Sequence, residues 1–278
     1  MIVDSTAAGF DDYIMGRTSD EYQRLRRQAQ LWEDATMRIL QKTGLRAGMS
    51  CLDVGCGPGE VMRLMGEMVG VGGSVTGLDA DGALGRDALA ALNATAISRF
   101  SFVECDLETI DQPPGRPFDL VFARLILVHV ADPLSLLRKM YSWVKPGGYL
   151  VAQEYNLRTP DIYPRPATWP EFEKIITLFE KVGRDLNVGL KLPAYFAEAG
   201  LGQADGTDVA AYAWPLTQTI DFFLGAYGAL LPRLLQKGLT TEAQSRAFID
   251  EMNHAAASEK YYSTLSPLLI GAWKRKPV

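Results

Sequence analysis

Residues 51–60 read CLDVGCGPGE, and this stretch decides the fold class of the chain. An apolar run ends at Asp53, and glycines then occupy alternate positions at Gly55, Gly57 and Gly59. A glycine-rich turn after a buried strand lets a ligand approach the backbone closely, because no Cβ atom stands in the way. The same letters also suit an ordinary tight turn between a strand and a helix. The stretch alone leaves both readings open.

Strand-like and helix-like patterns alternate around this turn, from residue 50 to residue 154. Short apolar strands separated by helices predict right-handed crossovers and a doubly wound, mostly parallel α/β sheet. Asp132, followed by Pro133, predicts the start of the helix that precedes the fifth strand. The predicted strands are SCLDVG, SVTGLDA, FSFVECD, FDLVFA and GGYLVAQEY.

The regions on either side of this core have different patterns of predicted elements. Residues 1–48 predict a helical arm, in which Thr18 and Glu21 form a capping box for one helix running to about Lys42. Residues 49–155 are expected to form the core of the sheet, with a ligand site at the glycine-rich turn. Residues 156–278 are expected to supply lid helices and the last two strands, and to cover the edge of the sheet where open α/β folds bind ligands. The sequence elements of that last region are a proline-rich connector LRTPDIYPRPATWP, helices at about 170–183 and 193–199 (the second opened by Pro193), a strand GTDVAAYAWP, two or three helices in 216–260, and a strand PLLIGAWKRK.

The composition narrows the class of partner. A net charge of −5 over 278 residues argues against nucleic acid, which normally requires a basic face. The three cysteines suit reduced thiols in a cytoplasmic protein. We find no signal peptide and no apolar run long enough to span a bilayer, so the sequence predicts a cytoplasmic protein without membrane contact.

Two further aspartates lie at the ends of the next two predicted strands. Asp79 ends the second strand, where a carboxylate can accept hydrogen bonds from both hydroxyls of a ribose. Asp106 follows the third strand, where a carboxylate can accept from an adenine amino group. Each aspartate alone could be a helix cap, but features at successive strand ends favour a bound nucleoside.

A nicotinamide dinucleotide is disfavoured by one position. The dinucleotide fingerprint G-x-G-x-x-G would place a glycine at position 60, beside a pyrophosphate at the helix start. This chain has Glu60 there, and its negative charge would repel a phosphate. A cofactor without phosphates fits the pattern better.

The combined motifs resemble those of the class I S-adenosylmethionine-dependent methyltransferases. The resemblance covers about residues 50–155, and the arm is similar to that of small-molecule enzymes that tailor quinones and bacterial natural products. It implies a seven-stranded Rossmann-like methyltransferase fold that binds S-adenosyl-L-methionine, and it is compatible with a homodimer. The motifs that carry it are LDVGCGPG, VTGLDAD, ECDLE, FDLVFARLILVHVADP, VKPGGYLVAQE and, in the arm, YIMGRTSDEYQRLRRQAQLW.

The resemblance also implies roles for individual residues. Gly55, Gly57 and Gly59 line the methionine part of the cofactor, Asp53 orients that loop, and Asp79 and Asp106 hold the ribose and the adenine. The other cofactor-binding residues that it implies are Tyr13, Cys56, Ala80, Cys105, Leu107 and Arg124.

Candidates for acid–base chemistry are few, since the chain has only two histidines. His129, after the fourth strand, is the first candidate for a general base, and a buried histidine bonded to backbone is its alternative. Glu154 could bind or deprotonate an acceptor, or form a salt bridge or cap. Tyr22 could donate a hydrogen bond to the acceptor. No ligand spacing predicts a metal.

The pattern favours methyl transfer to a small, largely apolar, aromatic metabolite in secondary metabolism. With so few bases, an amine nitrogen or an electron-rich carbon such as that of indole is favoured over a phenol oxygen. Aromatic residues of the lid would form partly the lid core and partly an apolar pocket. The alternatives are a nicotinamide-dependent oxidoreductase and a catalytically silent S-adenosylmethionine-binding protein.

Overall fold

The computed structural model describes residues 19–115 and 117–278 of the chain. Within these ranges the helices are α1 Ser19–Leu31, α2 Glu33–Lys42, α3 Glu60–Val69, α4 Gly82–Thr95, α5 Pro133–Ser142, α6 Trp169–Lys181, α7 Val188–Glu198, α8 Leu216–Gln236 and α9 Glu242–Ala257. The strands are β1 Ser50–Val54, β2 Ser74–Asp79, β3 Arg99–Glu104, β4 Phe118–Arg124, β5 Val144–Asn156, β6 Asp161–Tyr163, β7 Gly206–Ala210, β8 Ala213–Pro215, β9 Ser263–Leu265 and β10 Leu268–Arg275.

Seven strands form one sheet in the order β3-β2-β1-β4-β5-β10-β7. The first five are parallel, and β10 is antiparallel to both of its neighbours. This confirms the doubly wound, mostly parallel α/β fold. The strand order reverses between β1 and β4, and open α/β sheets bind ligands outside the carboxyl ends of the strands at such a point.

Local sequence signals set several of the element boundaries. The side chain of Asp81 accepts a hydrogen bond from the backbone of Leu84 and caps α4. Asp132 caps α5 in the same way, by accepting from the backbone of Ser135, as its sequence predicts. These caps begin two helices close to the carboxyl ends of β2 and β4, where the ligand crevice lies.

Three local predictions are wrong. The arm has two helices rather than one, with Trp32 between them, and Thr18 of the predicted capping box lies outside the described residues. The connector contains the short strand β6, which forms a three-stranded sheet with β9 and β8. Helix α7 contains Pro193 in its interior. The first turn of α7 packs closely against β5, because a Cβ on Gly189 would lie 2.5 Å from the carbonyl oxygen of Glu154. This packing, rather than Pro193, accounts for where the helix begins.

The lid consists of α6, α8 and α9, which pack against one another. Its centre is an aromatic cluster in which the ring of Trp169 stacks on Phe172 at 4.8 Å and meets Phe223 at 5.6 Å. Tyr227 and Phe248 extend the cluster with a ring separation of 4.8 Å. Helix α1 contacts α8, so the arm and the lid meet over the sheet edge. The division of the chain at residues 48 and 155 stays a prediction.

Candidate functional site

A cavity of about 520 Å³ lies at the carboxyl edge of β1–β4, under α1, α6 and α8. One side of its wall comes from the loops that follow the strands, and the other side comes from the helices. Of the residues proposed from the sequence, the cavity wall includes Tyr22, Asp53, Gly55, Cys56, Gly57, Asp79, Ala80, Asp106, Leu107, Arg124 and His129. Gly59, Cys105 and Glu154 are not part of this wall, and Tyr13 lies outside the described residues.

The loop after β1 is fixed by hydrogen bonds to the end of β2. The N–H groups of Gly55 and Cys56 both donate to the carbonyl oxygen of Leu78, at 2.8 and 2.9 Å. The N–H of Gly57 donates to the Asp79 carboxylate at 2.8 Å. Gly57 has a positive φ of 48°, and a Cβ built on it meets no atom within 4 Å. Its bare backbone therefore faces open cavity, which is the cradle that a closely bound ligand requires.

The other two glycines of the motif serve packing. A Cβ on Gly55 would lie 2.5 Å from the side chain of Ile126, so this glycine lets the β1 and β4 loops approach each other. Gly59 has a φ of 81° at the start of α3, and a Cβ there would lie 3.1 Å from Ala88 and from Leu92 of α4. The proposal that Gly59 lines the ligand is therefore wrong, because Gly59 is buried and the side on which a Cβ would stand faces α4 rather than the cavity.

Substitution of Gly57 by alanine is expected to abolish measurable binding of S-adenosylhomocysteine while the protein stays folded. A left-handed alanine costs about 1 kcal/mol of stability, and its methyl group would enter the cavity. Gly44 is the matched control, because its φ is 69° and a Cβ there also meets nothing within 4 Å. Gly44→Ala should lose similar stability in thermal unfolding and keep full binding; equal binding by the two variants would contradict the cradle.

The carboxylate of Asp79 organises the end of β2. One oxygen accepts from the Gly57 N–H, and the other accepts from the Asp81 N–H at 2.9 Å. Burial raises the pKa of this carboxyl, and the two backbone donors oppose that shift. The hydroxyl of Tyr22 donates to Asp81 at 2.6 Å. Tyr22 therefore holds α1 over the β2 end through Asp81, and its role as a hydrogen-bond donor to an acceptor stays a prediction.

The end of β3 contributes a second carboxylate and an apolar neighbour. Asp106 lines the cavity, and one of its oxygens accepts from the Glu108 N–H at 2.9 Å. Leu107 is buried beside it. Cys105 is not on the cavity wall, because it packs against the main core, and its N–H donates to the Asp79 carbonyl oxygen at 2.9 Å.

A buried pair of opposite charges lies beneath the β1 loop. Asp53 is 1% exposed, and its Oδ2 atom has no hydrogen-bond partner among the described residues. Burial raises the pKa of Asp53 to about 7, and the charge of Arg124 opposes the shift. Arg124 donates to the hydroxyl of Thr36 at 3.0 Å, which in turn donates to Gln153 at 2.8 Å. The unused Asp53 oxygen is suited to a ligand with a donor group, such as an ammonium.

Glu154 is a structural residue in this fold. It is 1% exposed, and its Oε1 atom accepts from the N–H groups of Ile126 and Leu127 at 2.7 and 2.6 Å. These bonds hold the turn in which Leu125 has a left-handed φ of 59°. Its place behind the cavity wall contradicts the proposal that Glu154 binds or deprotonates an acceptor.

The imidazole of His129 lines the cavity. Its N–H backbone group donates to the Ile126 carbonyl oxygen at 3.0 Å, which fixes the turn after β4. Burial first, and then the charges of Arg184 and Arg24, lower the pKa of His129 to about 4. At neutral pH the imidazole is therefore uncharged. Its low pKa makes it a weak general base, because it takes up a proton from an acceptor less readily than an ordinary histidine.

A histidine NMR titration checks this depressed pKa. His129 is expected to titrate with a midpoint near 4 in the ligand-free protein. Because the chain has two histidines, a His254→Gln variant leaves one imidazole signal and removes the assignment problem. A midpoint at the ordinary value near 6.5 would show that neither burial nor the two arginines act on the ring.

Contacts that sequence patterns do not reveal complete the site, and they involve Tyr155, which the sequence offers only as a possible donor to the acceptor. Trp32 is fully buried, and its ring lies 5.7 Å from Tyr155 and 5.1 Å from Tyr212. Its Nε1 donates to the Tyr155 hydroxyl, which also bonds Gln28 of α1. This network fixes the arm over the cavity. The only sequence signal for this network is the tryptophan within the predicted arm helix.

The lid supplies an apolar face to the cavity. Phe172 and Phe179 of α6 and Phe222 of α8 line it, and the neighbouring aromatic residues Trp169, Phe223 and Tyr227 form the lid core. Three of these rings thus face the cavity and three lie in the lid core, and the use of the cavity rings as a substrate pocket stays a prediction. Aliphatic wall residues from the same helices are Ile175, Ile176 and Leu230.

Residues 22–190 match the family described as "Methyltransferase domain". The chain belongs to this methyltransferase family. It is 32% identical over 174 residues to a ubiquinone biosynthesis O-methyltransferase of Pseudomonas aeruginosa, covering 60% of this chain and 70% of that protein. It is 29% identical over 123 residues to phosphoethanolamine N-methyltransferase 1 of Zea mays, covering 44% of this chain and 24% of that protein. The chain thus spans about a quarter of the phosphoethanolamine relatives.

Solved structures show the same methyltransferase fold. The YcgJ protein of Bacillus subtilis superposes with a TM-score of 0.55 at 16% identity, covering 88% of this chain and 99% of that one. A Haemonchus contortus phosphoethanolamine N-methyltransferase 2, in complex with phosphomonomethylethanolamine and S-adenosylhomocysteine, superposes with a TM-score of 0.53 at 18% identity. It covers 93% of this chain and 58% of that one. Class I methyltransferases, to which the chain belongs, use S-adenosylmethionine.

The described part of the chain has neither a group of metal ligands nor a helix suited to a membrane. No three histidine, cysteine, aspartate or glutamate side chains group as metal ligands in residues 19–115 and 117–278. Across the same part of the chain, no helix combines the length and apolar character needed to cross a membrane.

Proposed function

We propose that the chain transfers a methyl group from S-adenosyl-L-methionine to a small, largely apolar, aromatic metabolite. The observation that carries this proposal is that one cavity has two chemically different halves. Carboxylates and bare backbone line it at the strand ends, and aromatic side chains line it under the lid. An aromatic amine or an electron-rich carbon, as in indole, is the acceptor class that we propose, in natural-product tailoring.

The cofactor half of the cavity fits S-adenosylmethionine by its donors and acceptors. Asp79 would hold the ribose hydroxyls and Asp106 the adenine amine, with Ala80 and Leu107 beside the ring. Gly57 would present bare backbone to the methionine part. The unpartnered oxygen of Asp53 supports an ammonium contact, and the guanidinium of Arg124 beside it suits a carboxylate.

The chain's own work in the reaction is orientation and exclusion of water. When bound, the cofactor supplies a methyl group on an electrophilic sulfonium. Trp32 and Tyr155 fix α1 across the cavity, and the rings of α6 and α8 close its other side. Alignment of reacting groups in this way contributes about 7–11 kcal/mol to catalysis. His129, uncharged at neutral pH, is the proposed residue for holding an acceptor proton.

The compartment and the assembly belong to the same proposal. The three cysteines are free thiols, which supports a reducing compartment such as the cytoplasm. A homodimer stays a prediction.

Incubation with isotope-labelled methyl donor and pooled indoles, phenols and amines tests the reaction. We expect mass spectrometry to show one labelled methyl group on an indole or amine. Label on phenols alone would move the acceptor atom to oxygen. Cofactor binding without label on any member of the pool would favour the catalytically silent alternative.

A further inference from the structure

Charge is unevenly distributed around the cavity. The carboxylates on its wall lie mainly at the ends of β1–β3 and the starts of the following helices, where they face the cofactor half: Asp53, Glu60, Asp79, Asp81, Asp106 and Glu108. The wall on the opposite side is built by α1, by the connector after β5 and by the segment after α6. Its charged residues include four arginines: Arg24, Arg158, Arg165 and Arg184. The cavity is thus acidic at one end and basic at the other.

Two of these arginines are neutralised by carboxylates. Arg158 pairs with Glu180, and Arg165 pairs with Asp161 at 2.9 Å and with Glu173 at 3.1 Å. Arg184 has no carboxylate within ion-pair distance among residues 19–115 and 117–278. The neighbouring Asp185 is engaged instead with Lys191, at 2.6 Å. The positive charge of Arg184 is therefore uncompensated on the cavity wall.

Arg184 and Arg24 converge on His129. Both guanidinium charges act on the imidazole strongly enough to lower its pKa, and all three side chains line the cavity. Arg24 is 8% exposed and donates to the side-chain oxygen of Gln28 at 2.5 Å. A Cβ on Gly225 of α8 would lie 3.3 Å from its aliphatic stem, which fixes the direction of the arginine. Two guanidinium groups and an uncharged imidazole on the wall of one cavity are suited to bind an anion.

We propose that Arg184 and Arg24, beside His129, bind a carboxylate group of the methyl acceptor, which makes the acceptor an aromatic carboxylic acid. This inference rests on the proposed function. A guanidinium presents two parallel N–H donors that match a carboxylate, and the uncharged imidazole can donate a third hydrogen bond. A single carboxylate matches Arg184, which has no carboxylate partner among the described residues, while Arg24 already uses one N–H donor on Gln28. The acceptor ring would then pack against Phe172, Phe179 and Phe222.

The bound carboxylate would also change His129. Burial is the first cause of the low His129 pKa, and the two arginines add to it. A negative charge between the arginines offsets their part, so the pKa of His129 should rise when an acid binds. The acceptor would in this way make its own general base stronger. Other charged groups on nearby walls are Glu173 and Asp161, which are paired with Arg165.

Calorimetry with a matched pair of ligands tests the site. Protein saturated with S-adenosylhomocysteine is titrated with indole-3-acetate, with the uncharged indole-3-acetamide and with phenyl phosphate. We expect the acetate to bind at least about tenfold more tightly than the amide, as charge-assisted hydrogen bonds require. Arg184→Gln should remove this difference and leave S-adenosylhomocysteine affinity unchanged. Arg246→Gln, an exposed arginine of α9, is the control.

Each outcome decides a different claim. Equal affinity for acetate and amide, no binding of the acetate at millimolar concentration, or an unaltered preference in Arg184→Gln would overturn the carboxylate site. Tighter binding of phenyl phosphate would overturn the choice of a carboxylate. Failure of the wild-type protein to bind S-adenosylhomocysteine would instead sink the proposed function. In a His254→Gln background, the NMR midpoint of His129 should rise with the acetate and not with the amide.

Discussion

Replacement of Asp79 by alanine is expected to weaken the binding of S-adenosylhomocysteine about a hundredfold, which corresponds to about 2.7 kcal/mol. Its carboxylate performs two tasks. It fixes the β1 loop by accepting from the Gly57 N–H, and its remaining lone pairs lie on the cavity wall, available to ribose hydroxyls. Hydrogen bonds to a charged group contribute about 1.5–3 kcal/mol each, so loss of the carboxylate removes most of the nucleoside contact.

The control for this prediction is Asp87→Ala. Asp87 is an exposed aspartate of α4 and is not part of the cavity wall. Both variants should fold, as judged by circular dichroism, and only the Asp79 variant should lose affinity in calorimetry. Unchanged affinity in Asp79→Ala would show that the ligand does not lie at the end of β2.

Replacement of Glu154 by alanine is expected to lower the free energy of unfolding by about 3 kcal/mol or more. The change leaves the buried N–H groups of Ile126 and Leu127 without an acceptor, at about 1–3 kcal/mol for each unsatisfied group, and it opens a cavity behind the β4 turn. Glu154→Gln keeps an acceptor oxygen in place. It should therefore retain most of the stability in chemical denaturation.

The pH dependence of stability should distinguish Glu154→Gln from the wild type. Burial raises the pKa of Glu154 to about 8, and the unpartnered Oε2 atom fits a protonated carboxyl. The pKa of Glu154 is higher in the folded state than in the unfolded state. The stability that its protonated carboxyl contributes is therefore fully present below the unfolded pKa near 4.5, and it is lost as the pH rises through about 8. The loss is up to about 1.4 kcal/mol per pH unit.

Glu154→Gln cannot ionise, so it should gain stability relative to the wild type as the pH rises from 5 to about 8. Parallel pH profiles for the two proteins would contradict the raised pKa. A Glu154→Gln variant that keeps its stability and its cofactor affinity, yet loses methyl transfer, would restore a catalytic role for this residue.

The sequence predicted the core of the fold, and most of the residues proposed for the cofactor line one cavity at the carboxyl edge of the sheet. The glycines after β1 and the aspartates at the ends of β2 and β3 each come directly after a short apolar stretch. The pattern that predicts the strand therefore also predicts where in the sheet the residue lies. The strand order then brings Asp53, Asp79 and Asp106 to one edge without further assumptions. Gly59 misled the interpretation, because a motif does not show which glycine faces a ligand and which faces a helix.

The rest of the site depends on contacts between distant segments. Glu154 ends a strand, and the sequence does not show that its carboxyl turns toward the β4 loop, 27 residues earlier, rather than toward the cavity. Arg24 and Arg184 are far apart along the chain and line the same cavity only because α1 and the segment after α6 both contribute to its wall. The small sheet of β6, β9 and β8 joins three-residue strands, too short for a period-two pattern to register.

The central claim is that the carboxyl ends of β1–β3 hold the adenosine and the amino-acid tail of S-adenosylmethionine. A crystal structure of the protein with S-adenosylhomocysteine tests it most directly. The account predicts ribose hydroxyls on Asp79, the adenine amine at Asp106, and the amino-acid tail between Gly57 and the Asp53–Arg124 pair. A ligand bound elsewhere, or density for it at this edge with Asp79 turned away from the sugar, would contradict the account.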